Sequence, residues 1–334
     1  MDPRIQQRFH PDILQAAMQR FGIGPGTLTF LGDFNNYVYS FNKGSDPYIL
    51  RIAHSLRSSV SMIQAEVDWI NYLAEGGAGV ARAVLSESGS LVESIPDGLG
   101  EQFLAVAFIK APGHSPRDAE WTPSFIETYG RLVGRIHALS QKYQPSHLDC
   151  LRPQWDDPNY INVERFLPPS EQGVLARFHE LMRRLQSLPR DRQYYGLIHQ
   201  DAHGGNFFVD DDGQITLFDF DGCCYGHFIY DIAVVFFMAS TIQPEDLDFF
   251  PQFAAHFLRG YSQENHLDRA WLAEIPAFLK LREIDLYSYF LYALDLENSD
   301  DEWAIRFMQG RKERIVAGIP FLDIDFQQFA QLLS

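Results

Sequence analysis

His199, Asp201 and Asn206 stand at the spacing H-x-D-x-x-x-x-N within Ile-His-Gln-Asp-Ala-His-Gly-Gly-Asn, and a further acid, Asp219, follows within Leu-Phe-Asp-Phe-Asp-Gly. Phosphoryl transfer needs this set of groups. One carboxylate accepts or directs the proton of an acceptor hydroxyl, and two hard oxygen donors hold a divalent cation on the phosphates. Asp201 fits the first role. Asn206 and Asp219 fit the second, with Mg2+ as the cation, because magnesium takes oxygen ligands and fills the rest of its shell with water and substrate phosphate.

The intervening residues place these groups together. Phe207 to Val209 is a short β-favouring run, Asp210-Asp211-Asp212-Gly213 is a turn, and Gln214 to Phe218 is a second strand, so the chain goes out and returns. Asn206 and Asp219 are therefore expected at the same open end, on strands about 5 Å apart. Asp210, Asp211 and Asp212 are read as turn formers.

Around this hairpin the pattern changes along the chain. A helix spans Pro11 to Phe21, and strands follow at Thr27 to Gly32, Tyr37 to Phe41 and Tyr48 to Ile52. A helix capped near Ser58 or Ser59 runs to Gly76-Gly77, and strands return at Arg82 to Leu85, Ser90 to Glu93 and Gln102 to Ile109. Past Ala111-Pro112-Gly113 helices dominate: Pro123 to Ser140, Gln172 to Leu188, Ile229 to Ser240, Pro251 to Tyr261, Ala270 to Glu297 with a break at Pro276, and Asp301 to Ala317. The expected class is α+β, a bilobal protein kinase-like fold. Residues 1–110 form a small antiparallel-sheet lobe with one main helix that binds nucleotide, and residues 111–334 form a large, mostly helical lobe for catalysis and substrate.

An ATP site in such a layout needs a cation on the third strand and a carboxylate on the following helix. Arg51, in Tyr-Ile-Leu-Arg-Ile-Ala, and Glu66, in Gln-Ala-Glu-Val-Asp-Trp-Ile, stand in those places. Arginine contacts phosphate bidentately and is bulkier than the usual lysine. The loop Gly32 to Tyr37 lies where a phosphate cover belongs, so Asn36 is a candidate phosphate contact, and Ile109 marks the hinge where adenine would meet backbone groups.

The 334 residues carry a net charge of -17. That balance argues against nucleic acid as a partner, which requires a basic face. Residues 1–110 hold 8 basic and 11 acidic side chains, residues 111–334 hold 19 and 33, so the acidic excess lies in the half with the catalytic loop. An acidic cleft attracts a cationic acceptor, and solubility accounts for the same number. No apolar run is long enough to span a membrane and the first residues lack a signal peptide. Cys150, Cys223 and Cys224 form neither a paired disulfide set nor a metal spacing, so a cytoplasmic, reduced setting is expected.

Leu-Ile-His-Gln-Asp-Ala-His-Gly-Gly-Asn-Phe-Phe-Val, Leu-Phe-Asp-Phe-Asp-Gly, Tyr-Gly-His-Phe-Ile-Tyr-Asp-Ile-Ala at 225–233 and Leu-Val-Gly-Arg-Ile-His-Ala-Leu at 132–139 resemble the aminoglycoside phosphotransferase and choline kinase-like superfamily, nearest its homoserine kinase-like or stress response kinase A-like branches. The resemblance implies that Asp201 is the catalytic base, that Asn206 and Asp219 bind the metal, that His199 orients the loop through a hydrogen bond, and that Asp231 braces it. It leaves His203 and His137 as structural or packing residues and Asp221 as a second-sphere acid or supplementary metal contact. Glu297, Asp300, Asp301 and Glu302 are candidates for an ammonium group, with solvated helix-junction acids as the plainer reading. Tyr287, Tyr289, Phe290 and Tyr292 read as core. The implied function is ATP- and Mg2+-dependent transfer of a γ-phosphoryl group to a hydroxyl of a small metabolite, with amine-bearing compounds among the candidates. A protein Ser/Thr kinase and a non-catalytic nucleotide-binding regulator are the rivals.

Overall fold

Alternating apolar side chains on six short segments build one antiparallel sheet: β1 (Thr29–Gly32), β2 (Tyr37–Lys43), β3 (Asp46–His54), β4 (Ala83–Val84), β5 (Glu93–Pro96) and β6 (Gln102–Ile109). In this computed structural model the order is β1-β2-β3-β6-β4, with β5 pairing the same edge of β6 as β4. Residues 1–147, 149, 151–295 and 300–333 are described. Cys150 and Glu297 lie outside them.

The two-residue period of β3 sorts its side chains to opposite faces. Leu50 and Ile52 enter a core with Tyr37, Tyr39, Phe41, Phe103 and Ala105, which Ile13 and Ala17 of the second helix also join. Ile49 and Arg51 take the other face and line a cavity. The helices are α1 (Pro3–Gln6), α2 (Pro11–Arg20) and α3 (Val60–Glu75). Ser59 Oγ caps α3 by accepting from the Met62 N–H at 3.2 Å, and the helix ends at Gly76. Its buried stripe, Ile63, Glu66, Val67, Ile70 and Leu73, has helical spacing and carries one carboxylate inward.

The chain forms two units, one comprising residues 1–116, 142–152 and 205–221, the other residues 117–141, 153–204 and 222–334. The hairpin strands Phe207–Val209 and Ile215–Leu217 belong to the first. Leu217 exchanges backbone hydrogen bonds with Gly79 and Ala81, and Val209 with His114. Gly113 permits the second contact, at φ +84°, because a Cβ there would fall 1.9 Å from the Val209 carbonyl oxygen.

The second unit holds α4 (Pro123–Ser140), α5 (Val163–Phe166), α6 (Gln172–Gln186), α7 (Phe228–Ala239), α8 (Phe249–Tyr261), α9 (Ile275–Ala293), α10 (Glu302–Met308) and α11 (Arg311–Val316). It also contains an antiparallel strand pair, Tyr195–Ile198 with Cys224–His227, that the sequence reading omits. Helices α4 and α8 approach through glycines: a Cβ on Gly130 would meet the Phe257 carbonyl oxygen at 2.1 Å, and one on Gly260 that of Glu127 at 2.0 Å.

The break expected at Pro276 falls between a 3-10 helix, Arg269–Glu274, and α9, whose first turn holds Pro276 because the missing N–H costs nothing there. Two expectations need correction. The helix expected over Asp301 to Ala317 is two, separated at Gly310 with φ +63°. The strand expected at Ser90 to Glu93 lies at Glu93–Pro96. Among the described residues, no helix is long and apolar enough to cross a membrane.

Candidate active site

The first unit contains a cavity of about 480 Å³, within the range of small-molecule sites. Leu31, Val38, Ile49, Ile70, Phe108 and Phe218 supply apolar wall, and Arg51, Glu66, Asp219 and Asp221 supply charge. Arg51 is 6% exposed and Glu66 is fully buried. They form a two-pronged ion pair, Nη1 to Oε1 at 2.7 Å and Nη2 to Oε2 at 2.8 Å. Burial works against the Arg51 charge, but Glu66, with Asp221 and Asp219, more than offsets it, so the guanidinium stays protonated with a pKa above its ordinary value. The Arg51 guanidinium also lies 5.1 Å from the centre of the Phe108 ring, and its Nε has no hydrogen-bond partner among the described residues.

A second charged group borders the same cavity. Asp221 accepts from Arg57 Nη2 at 2.5 Å and from Asn36 Nδ2 at 3.4 Å, while Arg57 Nη1 donates to Asn36 Oδ1 at 3.3 Å. Arg152 donates to the Asp221 carbonyl at 2.6 Å and to that of Met62 at 3.1 Å. Burial pushes the Asp221 carboxyl up, and Arg57, Arg51 and Arg152 together bring it below its ordinary range. Asn36 is thus buried in a side-chain network. At the hinge, Ile109 gives its N–H to the Arg82 carbonyl and Lys110 gives its N–H to that of Pro47.

Backbone pairing across the hairpin joins Phe207 to Leu217, and the Phe218 N–H donates to the Asn206 carbonyl at 2.8 Å. Asn206 and Asp219 consequently sit at one end of the ribbon. Asp219 has φ +62°, a left-handed conformation that a non-glycine residue adopts only where its surroundings impose it. An amide and a carboxylate are hard donors suited to magnesium, and the cavity's size and mixed lining suit a nucleotide.

In the second unit Asp201 is surrounded by cations and rings. Arg282 Nη2 donates to its Oδ1 at 2.5 Å, and His203 Nε2 lies 3.4 Å from its Oδ2. Burial pushes the Asp201 carboxyl up, and Arg282, His203 and His199 overcome that and hold it well below the carboxylate range. His199 Nδ1 accepts from the Asp201 N–H at 3.2 Å. Asp231, at the start of α7, accepts from the His199 N–H at 2.8 Å and the Gln200 N–H at 2.6 Å, which fixes Gln200 at φ +72°. The Tyr129 hydroxyl donates to the Ala202 carbonyl. His137 does more than pack: its Nε2 is 3.2 Å from Asp231 and its Nδ1 is 2.9 Å from the Tyr261 hydroxyl.

Residues 27–275 match the phosphotransferase enzyme family. The chain belongs to that family. This phosphotransferase is 36% identical over 327 residues to an amicoumacin kinase of Bacillus subtilis (strain 168), covering 96% of this chain and 97% of that protein. An amicoumacin kinase solved in complex with AMP-PNP, Ca2+ and Ami superposes with a TM-score of 0.92 at 36% identity, covering 98% and 99% of the two chains. A microcompartment-associated aminopropanol kinase shares the fold at a TM-score of 0.72 and 24% identity, over 92% and 98%.

Spacing alone does not reveal Arg57, Arg152 or Arg282 in the phosphotransferase. The signal for Arg282 is an opposite charge three residues on, Asp285, a spacing that Lys280 and Glu283 repeat on the same helix α9. On the same helix Tyr287 and Phe290 are buried while Tyr292 is 59% exposed. Asp300 and Glu302 are exposed, and Asp301 caps α10 by accepting from the Ala304 N–H.

Proposed function

We propose that this phosphotransferase is an ATP- and Mg2+-dependent kinase that phosphorylates a hydroxyl of a small, amine-bearing molecule in the cytoplasm. The observation that carries the reading is the cavity of the first unit, lined by apolar side chains together with the Arg51–Glu66 pair and Asp219. Relatives named for amicoumacin and aminopropanol, one solved with AMP-PNP and Ca2+, support the same class.

Each residue has a role in this reading. Arg51, kept straight by Glu66, contacts nucleotide phosphate through a rigid fork of donors. The backbone near Ile109 meets adenine, with carbonyl oxygens as acceptors because two successive N–H groups are already used. Asn206 and Asp219 hold magnesium, which when bound neutralises phosphate charge as it shifts to the leaving group. Asp201, aligned by His199, accepts the acceptor's proton: the O–H bond breaks, that oxygen bonds the γ-phosphorus, the bond from γ-phosphorus to the bridging oxygen breaks, and ADP departs. A carboxylate with a depressed pKa is a weak base, so its main contribution is orientation, in keeping with a transition state that needs positioning and electrostatics more than proton removal.

Nucleotide consumption with a panel containing amicoumacin, aminopropanol, choline, homoserine and spectinomycin tests the proposal. ATP use that depends on an added acceptor is expected. Autophosphorylation without acceptor would favour a protein kinase, and ATP-stabilised protein with no transfer to anything would favour a regulator.

A further inference from the structure

Arg282 is a buried guanidinium whose Nη2 holds Asp201 at 2.5 Å and whose Nη1 lies 3.5 Å from Asp285, while its Nε has no hydrogen-bond partner among the described residues. Replacing a buried ion pair by apolar residues is often neutral or stabilising, so stability alone gives a weak reason for this charge on α9. Its location gives a stronger one. Oδ1 of Asp201 accepts from Arg282 on one side, and Oδ2 lies 3.4 Å from His203 Nε2 on the other. The Asp201 side chain is 33% exposed and that of Arg282 only 10%, so the arginine holds the carboxylate from behind.

Resting on the reading of Asp201 as the base, we propose that Arg282 is a positioning residue for phosphoryl transfer, fixing the orientation in which the Asp201 carboxylate meets the acceptor hydroxyl. The other titratable groups around the pair are Asp285 on α9, Tyr230 on α7, Tyr129 on α4, and His199 and His203 on the loop. Arg282 is the only full positive charge among them when the histidines are neutral. Asp285 is pushed upward by burial and by Asp201, against the pull of Arg282, so it is the carboxylate of the pair that protonates first as pH falls.

The test compares Arg282→Gln and Arg282→Lys with the parent enzyme in two measurements. In the first, the Asp201 side-chain carbon is titrated by NMR in aspartate-labelled protein, assigned with Asp201→Asn, which needs no acceptor. In the second, kcat, KM for ATP and the acid limb of kcat are measured with the acceptor of the above panel that is turned over fastest. Arg282→Gln is expected to raise the Asp201 pKa by at least about one unit. The active carboxylate form is then lost at a higher pH on descent, so the acid limb moves upward. A fall in kcat of about 100-fold with little change in KM for ATP accompanies it, and Arg282→Lys recovers part of both. A role in stability alone would lower active enzyme at every pH and leave the limb in place. Unchanged Asp201 titration in Arg282→Gln, or in the equally uncharged Arg282→Met if the glutamine variant does not fold, overturns the inference. An active Asp201→Asn enzyme would instead overturn the base assignment, a separate result.

Discussion

Arg51 and Glu66 show how a single substitution separates binding from folding. In the proposed reading Arg51→Ala removes a phosphate contact, and it leaves the fully buried Glu66 carboxylate unpaired, a loss of about 3–5 kcal/mol in stability. Arg51→Lys keeps one charge without the fork, so we predict a stable enzyme with a KM for ATP raised about tenfold. Urea unfolding and nucleotide titration of the two variants check this, and an Arg51→Ala enzyme as stable as the parent would contradict it. The pair was legible in the sequence because strand and helix follow one another and each residue sits at a recognisable place within its element. The segment proposed as the catalytic loop stands out for the same reason: His199, Asp201 and Asn206 lie close together in the chain. Arg57, Arg152 and Arg282 do not, since their partners are remote; Arg282 is 81 positions from Asp201 and 185 separate Asn36 from Asp221. Spacing rules read local geometry, and these contacts arise only when distant segments meet.

Among the elements, the crossing of α4 and α8 depends on backbone-to-backbone approach. Gly260→Ala places a methyl 2.0 Å from the Glu127 carbonyl oxygen, and a backbone atom inside a helix cannot swing aside as a side chain would. A loss of at least about 1–3 kcal/mol is predicted, read as a lower denaturation midpoint. An unchanged midpoint would mean that the helices do not cross there. The cap at Ser59 located the start of α3 closely in the sequence, and the helical run read from Pro123 to Ser140 matches α4. The pair Tyr195–Ile198 and Cys224–His227 went unread because each strand is four residues long and fully or largely buried, too short for an alternation to register. The division of α10 from α11 rests on one glycine in a left-handed turn, which composition alone does not distinguish from a tolerated helical glycine.

For the whole molecule, the net charge of -17 and its bias toward residues 111–334 set the long-range field. If the acceptor is cationic, kcat/KM for it should fall as salt shortens the screening length from about 10 Å at 0.1 M to about 3 Å at 1 M, whereas a neutral acceptor should show little change. Equal salt responses would assign the acidity to solubility. Motifs shared across a superfamily locate its chemistry without separating its branches, which is why the full-length likeness to an amicoumacin kinase adds what the catalytic loop could not. The central claim is that Asp201, Asn206 and Asp219 serve one transfer of phosphate from ATP to a small hydroxyl compound. Mass spectrometry of the acceptor panel after incubation with ATP and Mg2+ tests it most directly. The account predicts one added phosphoryl group on at least one acceptor with the parent enzyme and none with Asp219→Ala; a product formed equally by both would contradict it.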